Sequence, residues 1–398
     1  MNPDILLENA HVVHHDRIDA RPLAFSAGRV AGTVPAHVFR LDLRDHLIFP
    51  GLINAHDHLQ LNNIPPPVHA EPFANSYAWI DAIEAHLERP DVGASTRVPS
   101  AARHRHGGLK NVLAGVTTVA HHDPWHSVLD EPDFLVGLLR DFGWSHSLAL
   151  GGERGDQPPR YGPPVRQSFD ATPAEHPWII HLAEGTDEVV GAELAELDTL
   201  GCLASNTVLV HGVGLTSADI DRVIERRAAV VWCPASNLRM LGRTLGVSAL
   251  RRLFDAGRLA LGSDSRLSGS RDLLDELRVA ASHSSLSPRE LVRLVTSDAS
   301  RILGLAECGG LSAGLQADCI IVRAGADPYA TLLGTARSAI RAVVRGGMPA
   351  IADPDFAEWF SYCAVETVAV RLDGKAKLMA RELARPEITG LEPGLEMV

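Results

Sequence analysis

The chain has 398 residues, too many for one domain of ordinary size and about what a (β/α) barrel with a smaller appended unit needs. Hydrophobic residues make up 45% and charged residues 22%, a globular balance that excludes disorder as the main state. The formal net charge is -12, with 37 Lys+Arg against 49 Asp+Glu, which argues against nucleic acid or an anionic membrane as partner.

Residues 1–49 read as short strands with turns: ILLENAHVV, PLAFSAGRVAGTV and HVFRLDLRDHLIFP. Over 50–308, strand-like runs alternate with helical patterns. The strand-like runs are GLINAHDHL, GVTTVAHHD, SHSLALGG, WIIHLAEG, TVLVHGVG, AVVWCPAS and RLALGSDS. The helical patterns include DEPDFLVGLLRDFG, DEVVGAELAELDTLG, TSADIDRVIERR and VSALRRLFDAG. This alternation, with buried β-rich runs, predicts parallel strands and an α/β architecture. Residues 309–353 return to strands, and 354–398 read as a helical tail (DPDFAEWFSYCAVETVAVRL, KAKLMARELARP). The parse is a barrel inserted into a small β domain built from both ends of the chain. Seven barrel strands are clear. A Gly-, Pro- and Arg-rich stretch precedes WIIHLAEG, so either a short strand near Val165–Phe169 completes the set or the barrel is distorted there.

Five cysteines, none in a CxxC pair, fit reduced thiols in a cytoplasmic protein. The start of the sequence carries Asp4 and Glu8 and no basic region, unlike a signal peptide. No run of 18 apolar residues suggests a membrane span. Lysine occurs only at Lys110, Lys375 and Lys377.

Histidine is abundant, and its placement carries the chemistry. His56 and His58, two apart, point to one side of a strand. His181 ends WIIH, His211 ends TVLVH and Asp264 follows LALGS. A single strand histidine is most often a packed or surface group. Four imidazoles and a carboxylate at the C-terminal mouth of parallel strands, where barrel active sites lie, are not explained that way. Nitrogen and oxygen donors without thiolates suit one divalent metal, Zn first, with Fe or Mn as alternatives.

These residues also carry a family resemblance. FPGLINAHDHL, GVTTV, HLAE, LVHG, CPASNLRM, LGSDS and GGLSAGLQADCIIV resemble, in order, the amidohydrolase superfamily. The branch is that of guanine, cytosine and adenosylhomocysteine deaminases and triazine chlorohydrolases. The resemblance implies a distorted (β/α)8 barrel with a β-sandwich from both termini, a divalent metal and hydrolysis at carbon. It places His56, His58, His181 and Asp264 as metal ligands and His211 beside them, at the water or the substrate. Glu184 matches the glutamate that shuttles protons in such deaminases, a role a buried carboxylate three residues past a ligand can fill. Lys110 lies in a helical stretch before GVTTV, so the carbamylated-lysine bridge of binuclear relatives is missing, and a mononuclear site is expected. Glu153 is the one other candidate for such a bridge.

The long loop after His58 builds pocket wall in such barrels. Gln60 and Asn62 are candidate hydrogen-bond partners for a substrate, and Tyr77 and Trp79 candidate stacking platforms, against ordinary packing for each. His121 and His122 reach a strand end as pocket or supporting groups. Asn237 is expected to shape the following loop, and Arg154, Arg239 and Arg266 either hold a substrate carboxylate or form surface ion pairs.

The expected function is metal-dependent hydrolysis of a non-peptide C–N bond in a small molecule, most simply deamination of a heterocycle, amidine or guanidine. Hydrolysis of a cyclic amide, as in imidazolonepropionase-like relatives, is the alternative within the class. A non-catalytic scaffold that only binds a ligand is the alternative outside it. The superfamily often forms homodimers, though no interface feature stands out in the sequence.

Overall fold

The computed structural model describes residues 3–34, 36–152 and 159–398. Glu153 and Arg154 lie outside the described residues.

Among the described residues, eight short strands run parallel in two arcs. The first arc holds Leu52–Asp57 paired to Val116–His121, which pairs in turn to Gly137–Leu138. The second runs in order Gly143–Trp144, Trp178–Leu182, Thr207–His211, Ala229–Trp232, Leu259–Leu261. Strands covered on both faces must be apolar throughout. Every residue of Trp178–Leu182, Thr207–His211 and Ala229–Trp232 is buried. Amphipathic helices fill the connections. Ser217–Glu225 starts with a capping box between Thr216 and Asp219, and Val247–Asp255 buries Leu250, Leu253 and Phe254.

Strands from both ends of the chain form two further sheets. A nine-stranded sheet places Cys319–Arg323 beside His46–Pro50 and reaches to Leu395–Met397 at one edge. A four-stranded sheet joins Arg29–Val30, Leu23–Ser26, Ile5–Glu8 and Phe39–Asp42. One buried cluster, with Ile5 and Phe25 from the smaller sheet and Ile48, Ile321 and Val344 from the larger, packs them together.

Three sequence expectations are corrected. Beyond Ala357–Tyr362 the tail is mostly strand and turn, with two short helical turns at Arg381–Leu383 and Pro386–Thr389. Thr367–Leu372 and Lys375–Ala380 form a hairpin whose turn residues Asp373 and Gly374 both have positive φ (46° and 80°). Asp-Gly is the strongest short-range hairpin signal, and it outweighs the helical spacing read across it. DEPDFLVGLLRDFG is not a helix: it supplies the strand Gly137–Leu138. SHSLALGG is not a strand, since the strand Gly143–Trp144 ends just before it, and Val165–Ala171 is a helix. Strands of two residues are too short to leave a period in the sequence.

One buried carboxyl sets a pH prediction. Burial pushes Glu276 up to about 8 from an ordinary value of 4.5. The backbone N–H of Ala235 donates to its Oε1 at 2.8 Å. Its Oε2 lies 2.5 Å from Ser270 Oγ, whose own hydrogen points to Asp272 O at 2.9 Å. A neutral acid donating to Ser270 satisfies every group. The folded state therefore keeps a proton that the unfolded chain loses above about 4.5. The contribution of Glu276 to stability is full below that pH and falls by roughly 1.4 kcal/mol per pH unit up to about 8. Glu276→Gln, which preserves both hydrogen bonds, should flatten this decline in Tm between pH 5 and 8. An unchanged slope would refute the assignment.

Candidate active site

The strand ends bring the candidate residues to one cavity of about 290 Å³. His58, Gln60, Trp79, His181, Glu184, His211 and Asp264 all line it. His56 stands behind, with its Nε2 3.2 Å from His181 Nε2. A larger open groove, about 780 Å³, lies elsewhere, by Arg29, Arg345 and Glu382, without these groups. Three site positions sit in the left-handed region: Ala183 (φ 52°), His211 (φ 75°) and Asp264 (φ 52°). Each such residue costs roughly 1–3 kcal/mol, and such strain clusters where side chains must be aimed. Gly262 permits the approach of the strand ends, since a Cβ there would stand 2.6 Å from His56 Cβ.

Hydrogen bonds fix the imidazoles. Asp123 Oδ2 accepts from His58 Nδ1 at 2.6 Å, and His146 O accepts from His181 Nδ1 at 2.9 Å. Both Nε2 atoms are thereby turned inward, the usual carboxylate–histidine or carbonyl–histidine support of a metal ligand. Burial and the neighbouring imidazoles hold His56 and His181 well below the usual histidine range, hence neutral. His58 differs: burial alone would lower it, but Asp123 raises it to about 9. His56, His58 and His181 each offer a ligand atom within 4.8 Å of the others. Asp264 Oδ1 lies 3.7 Å from His58 Nε2, while Ser236 and Ser268 donate to its Oδ2 at 2.7 and 2.6 Å. Neutral His56 and His181, with a His58 whose Nε2 proton a bound cation would displace, and no thiolate, fit a divalent ion of the zinc type.

Glu184 is buried beside His211, Oε1 to Nε2 at 3.3 Å. Asn237 Nδ2 donates to Thr244 Oγ1 (3.1 Å), so its Oδ1 accepts from His211 Nδ1 (2.8 Å) and His211 Nε2 faces Glu184. Burial raises the Glu184 carboxyl, partly offset by His211.

The other candidates are placed differently. Asn62 is buried and bonded to Asp57 and Lys110, away from the cavity. The Tyr77 hydroxyl donates to Glu193, and neither Asn62 nor Tyr77 is among the described residues lining the cavity. The structure therefore does not support substrate contact for these two. Gln60 lines the cavity but donates to Asp123 Oδ2 at 2.6 Å. His122 is buried against His181, ring centroids 4.4 Å apart, and His121 is buried as well. Arg266 pairs with Glu392 and is not among the described residues lining the cavity. Arg239 is exposed. Sequence reasoning missed Asp123, His146 and Tyr161, whose hydroxyl donates to Asp123 Oδ1 at 2.5 Å. Asp123 alone had a signal, one residue past the histidine pair in GVTTVAHHD.

A convergent imidazole–carboxylate centre with a buried acid, at the C-terminal ends of parallel strands, defines a metal-dependent hydrolase. The chain belongs to the amidohydrolase family, whose sequence profile matches residues 165–376. It is 26% identical over 336 residues to a 5-methylthioadenosine/S-adenosylhomocysteine deaminase of Haloarcula marismortui, covering 71% of this chain and 74% of that protein. An 8-oxoguanine deaminase of Pseudomonas aeruginosa is 25% identical over 399 residues, 81% of this chain and 86% of its own. Among solved structures, a zinc-bound adenosine deaminase of Xanthomonas campestris shares the fold with a TM-score of 0.69 at 22% identity, covering 91% of this chain and 97% of its own. The zinc complex of atrazine chlorohydrolase from Arthrobacter aurescens does so with 0.67 at 17% identity, covering 90% and 99%. No helix among the described residues is long and apolar enough to cross a membrane.

Proposed function

We propose that the protein is a hydrolytic deaminase of a small amino-heterocycle. The observation that carries this reading is the pairing of an inward-facing His56, His58, His181 and Asp264 set with buried Glu184 against His211. These four side chains would hold one divalent metal, zinc best. Such a metal supplies Lewis acidity that brings the acidity of water toward neutrality. Glu184 takes the proton of the attacking water and passes it to the leaving nitrogen, so that a C–O bond forms, the C–N bond breaks and ammonia departs. His211 shares that proton through Nε2, its tautomer set by Asn237.

The cavity supports a flat, uncharged substrate. Trp79, Ile80, Ile83 and Leu87 of one helix form an apolar wall, with Trp79 a stacking platform and Gln60 a polar contact. Arg160, the one arginine or lysine among the described lining residues, is engaged by Glu84 at 2.5 Å and does not await an anion. The two parallel arcs support a distorted (β/α)8 barrel over about 50–308. The two mixed sheets support a β-sandwich from 1–49 and 309–353, joined by strands of 354–398. Five free cysteines support a reducing, cytoplasmic setting.

The test is ammonia release from a panel of amino-purines, amino-pyrimidines and amino-triazines. Stoichiometric ammonia is expected. Ring opening without ammonia would replace this reading with cyclic-amide hydrolysis. Elemental analysis should find about one Zn per chain in wild type and loss of it in His181→Ala, because one of three convergent imidazoles is gone. Full zinc retention in that variant would refute the ligand set.

A further inference from the structure

We infer that Lys110 is a positioning residue that fixes the two metal-bearing strand ends, those of Leu52–Asp57 and Leu259–Leu261, against each other. The inference rests on the metal reading above and goes beyond it. His56 and His58 come from one arc and Asp264 from the other. Among the described residues no strand ladder joins these two ends. One backbone bond crosses, Asp264 N–H to His56 O at 3.0 Å. Side chains close the rest of the seam.

Lys110, on the helix Ser100–Leu113, reaches this seam fully buried. Its Nζ donates to Asp57 Oδ2 at 3.0 Å, to Asn62 Oδ1 at 2.9 Å and to Ser263 Oγ at 3.2 Å. Asp57 lies between His56 and His58, and Ser263 precedes Asp264. The ammonium thus touches a neighbour of every proposed ligand except His181. Asn54, on the first strand, accepts from Ser263 N at 2.9 Å, a side chain taking the place of a ladder bond. A buried ammonium is expensive unless each N–H is taken, and here all three are. The contacts span 53, 48 and 153 residues of sequence, so Lys110 holds together parts of the site that the backbone does not.

The test separates positioning from mere stability. The double variant Asp57→Asn/Lys110→Met leaves neither charge buried alone. Zinc affinity, by chelator competition, should fall tenfold or more, and the visible bands of the Co(II)-substituted protein should shift, while the metal-free protein keeps its far-ultraviolet circular dichroism. Ser263→Ala, which removes one Lys110 partner, should move both readouts the same way by less, and it decides the matter if the double variant does not fold. Lys377→Met, at the other buried lysine, should leave both readouts unchanged, whatever it does to Tm. Wild-type zinc affinity and an unshifted Co(II) spectrum in both the double variant and Ser263→Ala would overturn the inference. Metal uptake by wild type, measured first, tests the metal reading separately.

Discussion

Replacing Glu184 with Gln should lower kcat by about 10²–10⁴-fold, the usual worth of a positioned general acid–base, while zinc content stays at the wild-type level. Glutamine keeps the size of the side chain and its place against His211, but it cannot take up and release a proton at neutral pH. Glu184 is buried and makes no contact with His56, His58 or His181 that a ligand role would require, so its loss spares the metal. The apolar wall of Trp79, Ile80, Ile83 and Leu87 is untouched and the side chain keeps its size, so KM should change little. Steady-state ammonia release and elemental analysis on the same preparation check both halves. Full turnover in the variant would remove Glu184 from proton transfer. Loss of zinc together with turnover would make it a ligand instead.

The strand-end histidines were legible because parallel strands leave a clear mark: a β-branched, apolar run stopped by a polar residue, as in WIIH and TVLVH. Each such run was long enough to show its type. The strands Gly137–Leu138 and Gly143–Trp144 were not legible, since two residues carry no period. Nor could the sequence show what each polar side chain touches. Lys110 reads as a helix lysine facing away from the strand mouths, yet its ammonium lies under them, because a long side chain reaches through the layer that its helix covers. Asn62 and Trp79 look equally suited to bind a substrate. One is drawn into the buried seam and the other faces the cavity. That outcome depends on contacts across the fold, which no local pattern encodes.

The tail gives the clearest case of a contact hidden from the sequence, and the second large effect. Glu392→Ala should destabilise the protein by about 3–5 kcal/mol, read from a denaturant midpoint or Tm, because it strips Arg266, Arg337 and His106 of the buried carboxylate they share. Glu392 is 3% exposed. It accepts from Arg266 at 2.9 and 2.8 Å, from His106 Nε2 at 2.9 Å and from Arg337. Burial alone would raise its carboxyl, but the hydrogen bonds of His106 and Arg266 and the charges of Arg266 and Arg337 hold it well below the usual carboxylate range. Alanine would leave two guanidinium groups facing each other in a site that water does not reach. Arg337 retains Asp373, but at Arg266 the remaining partner is a single carbonyl, that of Arg271. Glu392→Gln should cost less, since it keeps an acceptor in place. The exposed pair Arg381–Glu366 is the control, because ion pairs in solvent contribute little, so Glu366→Ala should leave the midpoint where it was. Equal, small effects for Glu392→Ala and Glu366→Ala would mean that the cluster relaxes by admitting water. The backbone N–H of Arg266 donates to Asn62 Oδ1 at 3.1 Å, so the same acid in the tail braces the loop that follows Asp264.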